Sequence, residues 1–153
     1  MIVYVDTSVI GGCFDAEFSE WSLALFDEFI IGLKTAVFSG LTLEELNLAP
    51  IKVRDKILEI PEKSRITIPT SELAISLAET YIDEGALSEK SYNDALHIAL
   101  ATLSEASVLT SWNFKHIVNL DRIRLFNSIN FRMGYKLIEI RTPREILTNN
   151  EKD

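Results

Sequence analysis

A single cysteine, Cys13, is all that this 153-residue chain contains. No intramolecular disulfide can form, and zinc binding of the CxxC kind is excluded. With no basic neighbour in sequence, Cys13 lacks a nucleophile setting and reads as structural. Long apolar runs are missing as well, since none approaches the ~20 residues of a membrane span. There is no basic leader: the chain runs straight into the strand-like Ile2-Val3-Tyr4-Val5, so neither a cleaved secretory signal nor a membrane partner is expected. Repeats, low-complexity tracts and linkers are absent, which implies one continuous domain, placed at 1–147 with a tail at 148–153. A domain of this length buries a full core. A cytoplasmic location fits these absences best.

Positive charge is also scarce, with 15 Lys and Arg against 23 Asp and Glu and a net charge of −8. That balance argues against general nucleic-acid affinity. The deficit is uneven, however. Residues 1–114 hold 7 basic against 18 acidic side chains, whereas residues 115–144 hold 7 against 2. A basic segment beside an acidic site suits a polyanion backbone while metal ions offset the carboxylates. A solvated basic surface is the plainer reading of the same charges.

What the chain does have is alternation. Strand-like runs recur at 2–6, 35–39, 65–68, 106–111 and 136–140. Helical patterns lie between them at 20–32, 41–60 (interrupted by Pro50), 71–84, 91–104 and 119–132, with a short helix after Pro143. Ser71 supplies capping chemistry for one helix and Gly85 ends it. This order predicts an α/β fold with a mostly parallel sheet.

Three carboxylates stand out in that frame. Asp6 closes the apolar run 2–5, and ligands in open α/β sheets collect beyond the carboxyl ends of strands. Glu45 lies in a helix start directly after Ala36-Val37-Phe38, and Asp94 opens the helical stretch 95–101. Carboxylates converging there repel one another unless a cation is present, and Mg²⁺ prefers oxygen ligands. Each acid also has a plain structural role open to it, at a helix cap or in a first turn. Thr7 and Ser8 are placed to orient a carboxylate or a water. Glu44 points about 100° away from Glu45 on a helix, and Glu45, next to Leu46, is favoured as the inward member. His97 shares the Asp94 face but reads as a satisfied, partly buried residue outside the catalytic set. Asn113, after the last internal strand, offers a neutral oxygen to a metal or its water. Trp112 has the chemistry to stack on a base but is expected to pack against the sheet edge. Lys115 and His116 are weaker candidates for phosphate contact. Trp21, Phe26, Phe29 and Ile30 are assigned to the core or to a dimer face.

The ordered set Asp6-Thr7-Ser8, Glu45-Leu46, Asp94-Ala95-Leu96-His97-Ile98-Ala99 and the strand leading to Thr110 resembles a PIN domain, and within it the VapC-type toxin ribonucleases of toxin–antitoxin pairs. The resemblance covers nearly the whole chain. It implies a Rossmann-like α/β/α sandwich, a Mg²⁺- or Mn²⁺-dependent endoribonuclease acting on RNA, a homodimer, and inhibition by a cognate antitoxin. Carried over residue by residue, Asp6, Glu45 and Asp94 match the metal-binding acids of the family. The departure is at the fourth acidic position, where Asn113 is the nearest match and supplies no negative charge. The implied chemistry is metal-assisted phosphodiester hydrolysis without a covalent nucleophile. A PIN-like module that binds RNA or antitoxin without turnover is the alternative. A phosphotransferase of the haloacid-dehalogenase type is disfavoured, because it requires a second Asp where Ser8 stands.

Overall fold

The structure is a computed structural model that describes residues 1–148. Its elements follow the order β1 (Ile2–Val5), α1 (Thr7–Gly12), α2 (Ser19–Ile30), β2 (Thr35–Ser39), α3 (Gly40–Asn47) and α4 (Ile51–Arg54). Then come β3 (Arg65–Ile68), α5 (Glu72–Asp83), α6 (Tyr92–Leu103), β4 (Val108–Thr110), α7 (Leu120–Arg132), β5 (Glu139–Arg141) and α8 (Pro143–Ile146). Short 3-10 turns at Asp55–Glu59, Glu62–Ser64 and Glu89–Ser91 complete the path.

All strand pairs are parallel, in the order β3-β2-β1-β4-β5. The α/β expectation holds. β1 is central and buried on both faces, which is why residues 2–5 read as one unbroken apolar run. Its side chains alternate. Val3 and Val5 join Val9, Phe26, Phe29 and Leu46 on one side, while Tyr4 joins Leu77, Tyr81, Ile98 and Phe126 on the other. Helices therefore cover both faces, as in an α/β/α sandwich. Phe26 and Phe29 are core, with Trp21 and Ile30 packed against it. Cys13 is buried, and burial pushes its thiol up to about 12, so it stays protonated and inert.

The chain winds outward from β1 through β2 to β3, then returns to the far side of β1 as β4. The direction of winding thus reverses between β1 and β4, and the crevice beyond their carboxyl ends is where such sheets take ligands. Asp6 ends β1 and Ser111 follows β4, so both stand at that point. Among the described residues no helix is long and apolar enough to cross a membrane.

Local signals explain the helix ends. Ser71 caps α5 by accepting from the Ala74 amide, and Gly85, at φ +81°, takes the left-handed turn that stops it. Pro143 occupies the first turn of α8 behind a Thr142–Glu145 capping box. One helix escapes the patterning: α1 has six residues, too few to show a helical period. Of the expected tail, Thr148 is anchored, its hydroxyl accepting from buried Lys34 at 2.8 Å and its amide donating to Glu28 at 3.1 Å. Residues 149–153 of that tail lie outside the described residues.

Candidate metal centre

Asp6 occupies the residue before α1, yet its side chain makes no capping bond. The capping reading of this acid is therefore wrong. Instead Oδ2 accepts from Ser8 Oγ at 2.6 Å and from Ser111 Oγ at 2.8 Å. Both hydroxyls are shared with the β4 exit, since Trp112 N donates to Ser8 Oγ and Asn113 N donates to Ser111 Oγ. The loop after β4 is thereby bolted to the loop after β1. The side chain of Asp6 is 7% exposed, which is low for a charge with no salt-bridging Lys or Arg among the described residues.

Glu45 arrives from α3, whose first turn is capped by Ser39. Its Oε1 accepts from Thr7 Oγ1 at 2.8 Å and lies 2.5 Å from His97 Nε2. Glu44 is exposed, so Glu45 is the inward member of the pair. Asp94 sits in the first turn of α6, with Oδ2 3.0 Å from His116 Nδ1. His97 follows one turn later and is 1% exposed. Its Nε2 faces Glu45 and stands 3.6 Å from Asp6 Oδ1, while Nδ1 lies 2.8 Å from the Tyr4 hydroxyl.

The electrostatics agree with this closeness. Burial raises the Asp94 carboxyl above the ordinary aspartate value, the negative charge of Asp6 adds to the rise, and His116 offsets part of it. Burial would also raise Glu45, but the His97 hydrogen bond and charge, with Thr7, hold it below the usual glutamate value. Burial would lower His97, but Glu45, Asp6 and Asp94 together raise it. Three acids and one imidazole thus form a single electrostatic unit.

The donor set fits a hard divalent cation. Each acid has one oxygen engaged by neighbours and one, namely Asp6 Oδ1, Glu45 Oε2 and Asp94 Oδ1, with no hydrogen-bond donor among the described residues. Oxygen ligands held from behind by hydroxyls are what Mg²⁺ or Mn²⁺ takes. Among the described residues no three His, Cys, Asp or Glu side chains are already gathered as a metal-holding group. His97 Nε2 lies between Asp6 and Glu45, 3.6 Å from Asp6 Oδ1 and 2.5 Å from Glu45 Oε1.

The remaining candidates can now be placed. His97 is buried and satisfied, as expected, and its partners include two of the acids, Glu45 and Asp6. His116 turns its ring to Asp94, 3.0 Å away, and to Ser91. Asn113 directs Oδ1 to the His116 amide at 3.0 Å, capping the turn that carries His116, which uses one of the two lone pairs of that oxygen. Trp112 is packed, but on Phe18 and α2 and not against the sheet edge: it stacks on Phe18 at 4.4 Å between ring centres and donates Nε1 to Ser22 Oγ at 2.8 Å. Four of the seven basic side chains in residues 115–144 have partners within the fold. Arg122 and Lys136 donate to backbone carbonyls, Arg132 pairs with Glu84, and Arg141 pairs with Glu139 and Glu145. A cleft of about 650 Å³ at the amino ends of β1 and β4, lined by Met1, Lys34 and Val108, lies away from the acids.

Sequence reasoning missed Ser111 as a partner of Asp6 and His97 as a partner of Glu45. A signal existed for the second, since the three-residue spacing from Asp94 puts His97 on the same helix face.

Comparison with known proteins places these observations in context. The model of the PIN domain family matches residues 3–113. No curated protein matches the sequence. Among solved structures, a chain of VapBC2 from Rickettsia felis, bound to a DNA fragment from its promoter, is similar at a TM-score of 0.54 and 16% identity. That likeness covers 93% of this chain and 98% of the other. A chain of FitAB bound to the IR36 DNA fragment is similar at a TM-score of 0.60 and 16% identity, covering 99% and 100%. At that identity the likeness is one of fold.

Proposed function

The chain belongs to the PIN domain family, and from that premise we propose that it is a metal-dependent endoribonuclease that hydrolyses RNA phosphodiester bonds. PIN domains are generally nucleases. One observation carries the reading for this chain: beyond the carboxyl end of a parallel sheet Asp6 and Glu45 both border His97, Asp94 lies near enough for the charge of Asp6 to raise its carboxyl, and each acid keeps one oxygen without a hydrogen-bond donor among the described residues.

Asp6, Glu45 and Asp94 would hold Mg²⁺ or Mn²⁺. A bound ion would supply Lewis acidity toward a phosphoryl oxygen and lower the pKa of water for the attack. The chain's own part is positional. Ser8 and Ser111 fix the Asp6 carboxylate, Thr7 fixes Glu45, and His116 fixes Asp94. No side chain is needed as a covalent nucleophile, and buried Cys13 is in no state to serve as one.

We further propose that the protein is the toxin of a toxin–antitoxin pair, working in the cytoplasm as a homodimer and restrained by its cognate antitoxin. Likeness to chains of VapBC2 and FitAB supports the antitoxin partner. The proposed domain spans 1–147. A second reading, a PIN module that binds RNA or antitoxin with little turnover, draws on Asn113, which brings no charge to the fourth position and has Oδ1 engaged.

Incubation of purified protein with single-stranded RNA separates the two. Cleavage that needs Mg²⁺ or Mn²⁺ and stops with EDTA supports the enzyme. RNA or antitoxin binding with no cleavage at any metal concentration supports the module.

A further inference from the structure

Glu45 reaches the acid cluster on a long side chain that is 32% exposed, and such a side chain wanders unless it is held. Two donors hold it, both on Oε1: Thr7 from α1 and His97 from α6. His97 is itself held from behind. The Tyr4 hydroxyl lies 2.8 Å from His97 Nδ1 and 2.7 Å from Ser39 Oγ. Ser39 Oγ accepts from the Thr42 amide at 3.2 Å, in the first turn of the same α3 that carries Glu45.

These contacts close a loop. It runs from Glu45 through His97, Tyr4 and Ser39 to Thr42, and back along α3 to Glu45. Every side chain in it except Glu45 is buried. The arrangement also sets the ring's hydrogens. Nε2 faces the carboxylates of Glu45 and Asp6, which only accept, so Nε2 carries a hydrogen in either charge state of the ring. The Tyr4 hydroxyl, able to donate or to accept, serves Nδ1 in both cases.

We propose that His97 is a positioning residue of the site. It pins Oε1 of Glu45, ties that oxygen through Tyr4 to the cap of α3, and so presents Oε2 to the divalent cation. A histidine serving only the core would be satisfied within one layer, whereas His97 joins β1, α3 and α6 around two of the three acids. This inference rests on the metal-dependent reading above. Thr7 shares the load on Oε1, so loss of His97 weakens the cation site without abolishing it.

The test is a Mn²⁺ titration of the full chain, read by electron paramagnetic resonance of free Mn²⁺, on wild type, His97→Ala, His97→Gln and Tyr4→Phe. Melting temperatures are recorded on the same samples. Removing such a support costs about 10- to 100-fold in metal affinity. We expect His97→Ala to weaken Mn²⁺ binding in that range, with His97→Gln recovering most of it through its amide donor. Tyr4→Phe, which keeps the imidazole but frees it, is expected to fall between wild type and His97→Ala. Wild-type Mn²⁺ affinity in folded His97→Ala overturns the inference, whatever the melting temperature does. Should His97→Ala fail to fold, wild-type affinity in Tyr4→Phe overturns it. A His97→Gln protein that binds no better than His97→Ala also overturns it. Wild-type protein that binds no Mn²⁺ overturns this inference and the functional reading together.

Discussion

Ser111 donates its hydroxyl to Asp6 Oδ2 at 2.8 Å across 105 positions of the chain. This bond joins the ends of β1 and β4 at the point where the direction of winding reverses. Ser8 donates to the same oxygen at 2.6 Å, so Oδ2 is held twice, while Oδ1 stands 3.6 Å from His97 Nε2. Replacing Ser111 with Ala leaves one donor and frees the Asn113 amide as well. We expect Ser111→Ala to weaken Mn²⁺ binding about 10-fold or more and to cost about 1–2 kcal/mol of stability. Metal titration and urea denaturation check the two effects separately.

Asp94 offers a test of stability set against function. Its carboxyl is raised by burial and by the charge of Asp6, so ionised Asp94 is a strain on the metal-free fold at neutral pH. Asp94→Asn keeps an acceptor for His116 and removes that charge. In metal-free protein the melting temperature should rise, while RNA cleavage is lost. A lower melting temperature with cleavage intact would remove Asp94 from the acid cluster.

Asn113 tests the fourth position. Asn113→Asp retains an oxygen for the His116 amide and adds a negative charge beside the acids. The Mn²⁺ or Mg²⁺ concentration for half-maximal cleavage should fall. Slower turnover at unchanged metal affinity would mean that Asn113 acts on water or substrate, and no change at all would place it outside the site.

Gly12 is a packing test. A Cβ there would meet Ser22 Oγ at 2.6 Å and Trp112 Nε1 at 2.8 Å, the two atoms that bond each other. We expect Gly12→Ala to cost about 1–3 kcal/mol and to shift Trp fluorescence as Trp112 is displaced. Thermal denaturation followed by fluorescence measures both.

How much of this was legible in the sequence depends on the range of the forces involved. β1 announced itself because both its faces are buried, and Asp6 because a carboxylate closing such a run has little structural purpose. Helix geometry set Glu44 and Glu45 apart, and the neighbouring Leu46 favoured Glu45 as the inward member. His97 was not legible in its role, since its partners Tyr4 and Glu45 stand 93 and 52 positions away. The three-residue spacing from Asp94 put His97 on the Asp94 face of the helix but could not name what it meets there. The partners of the basic segment were out of reach for a similar reason. Composition counts charges, but whether Arg122 meets a phosphate or the Ala86 carbonyl is decided by tertiary packing.

The most direct measurement is RNA cleavage by Asp6→Asn beside wild type, with Mn²⁺ present and with EDTA, on proteins shown by circular dichroism to be equally folded. Asn keeps the shape and one acceptor for Ser8 and Ser111 but removes the charge that a cation needs. Wild type should cleave only with metal, and Asp6→Asn should not cleave under either condition. Undiminished cleavage by Asp6→Asn, or cleavage by wild type in EDTA, would contradict a metal centre built on Asp6.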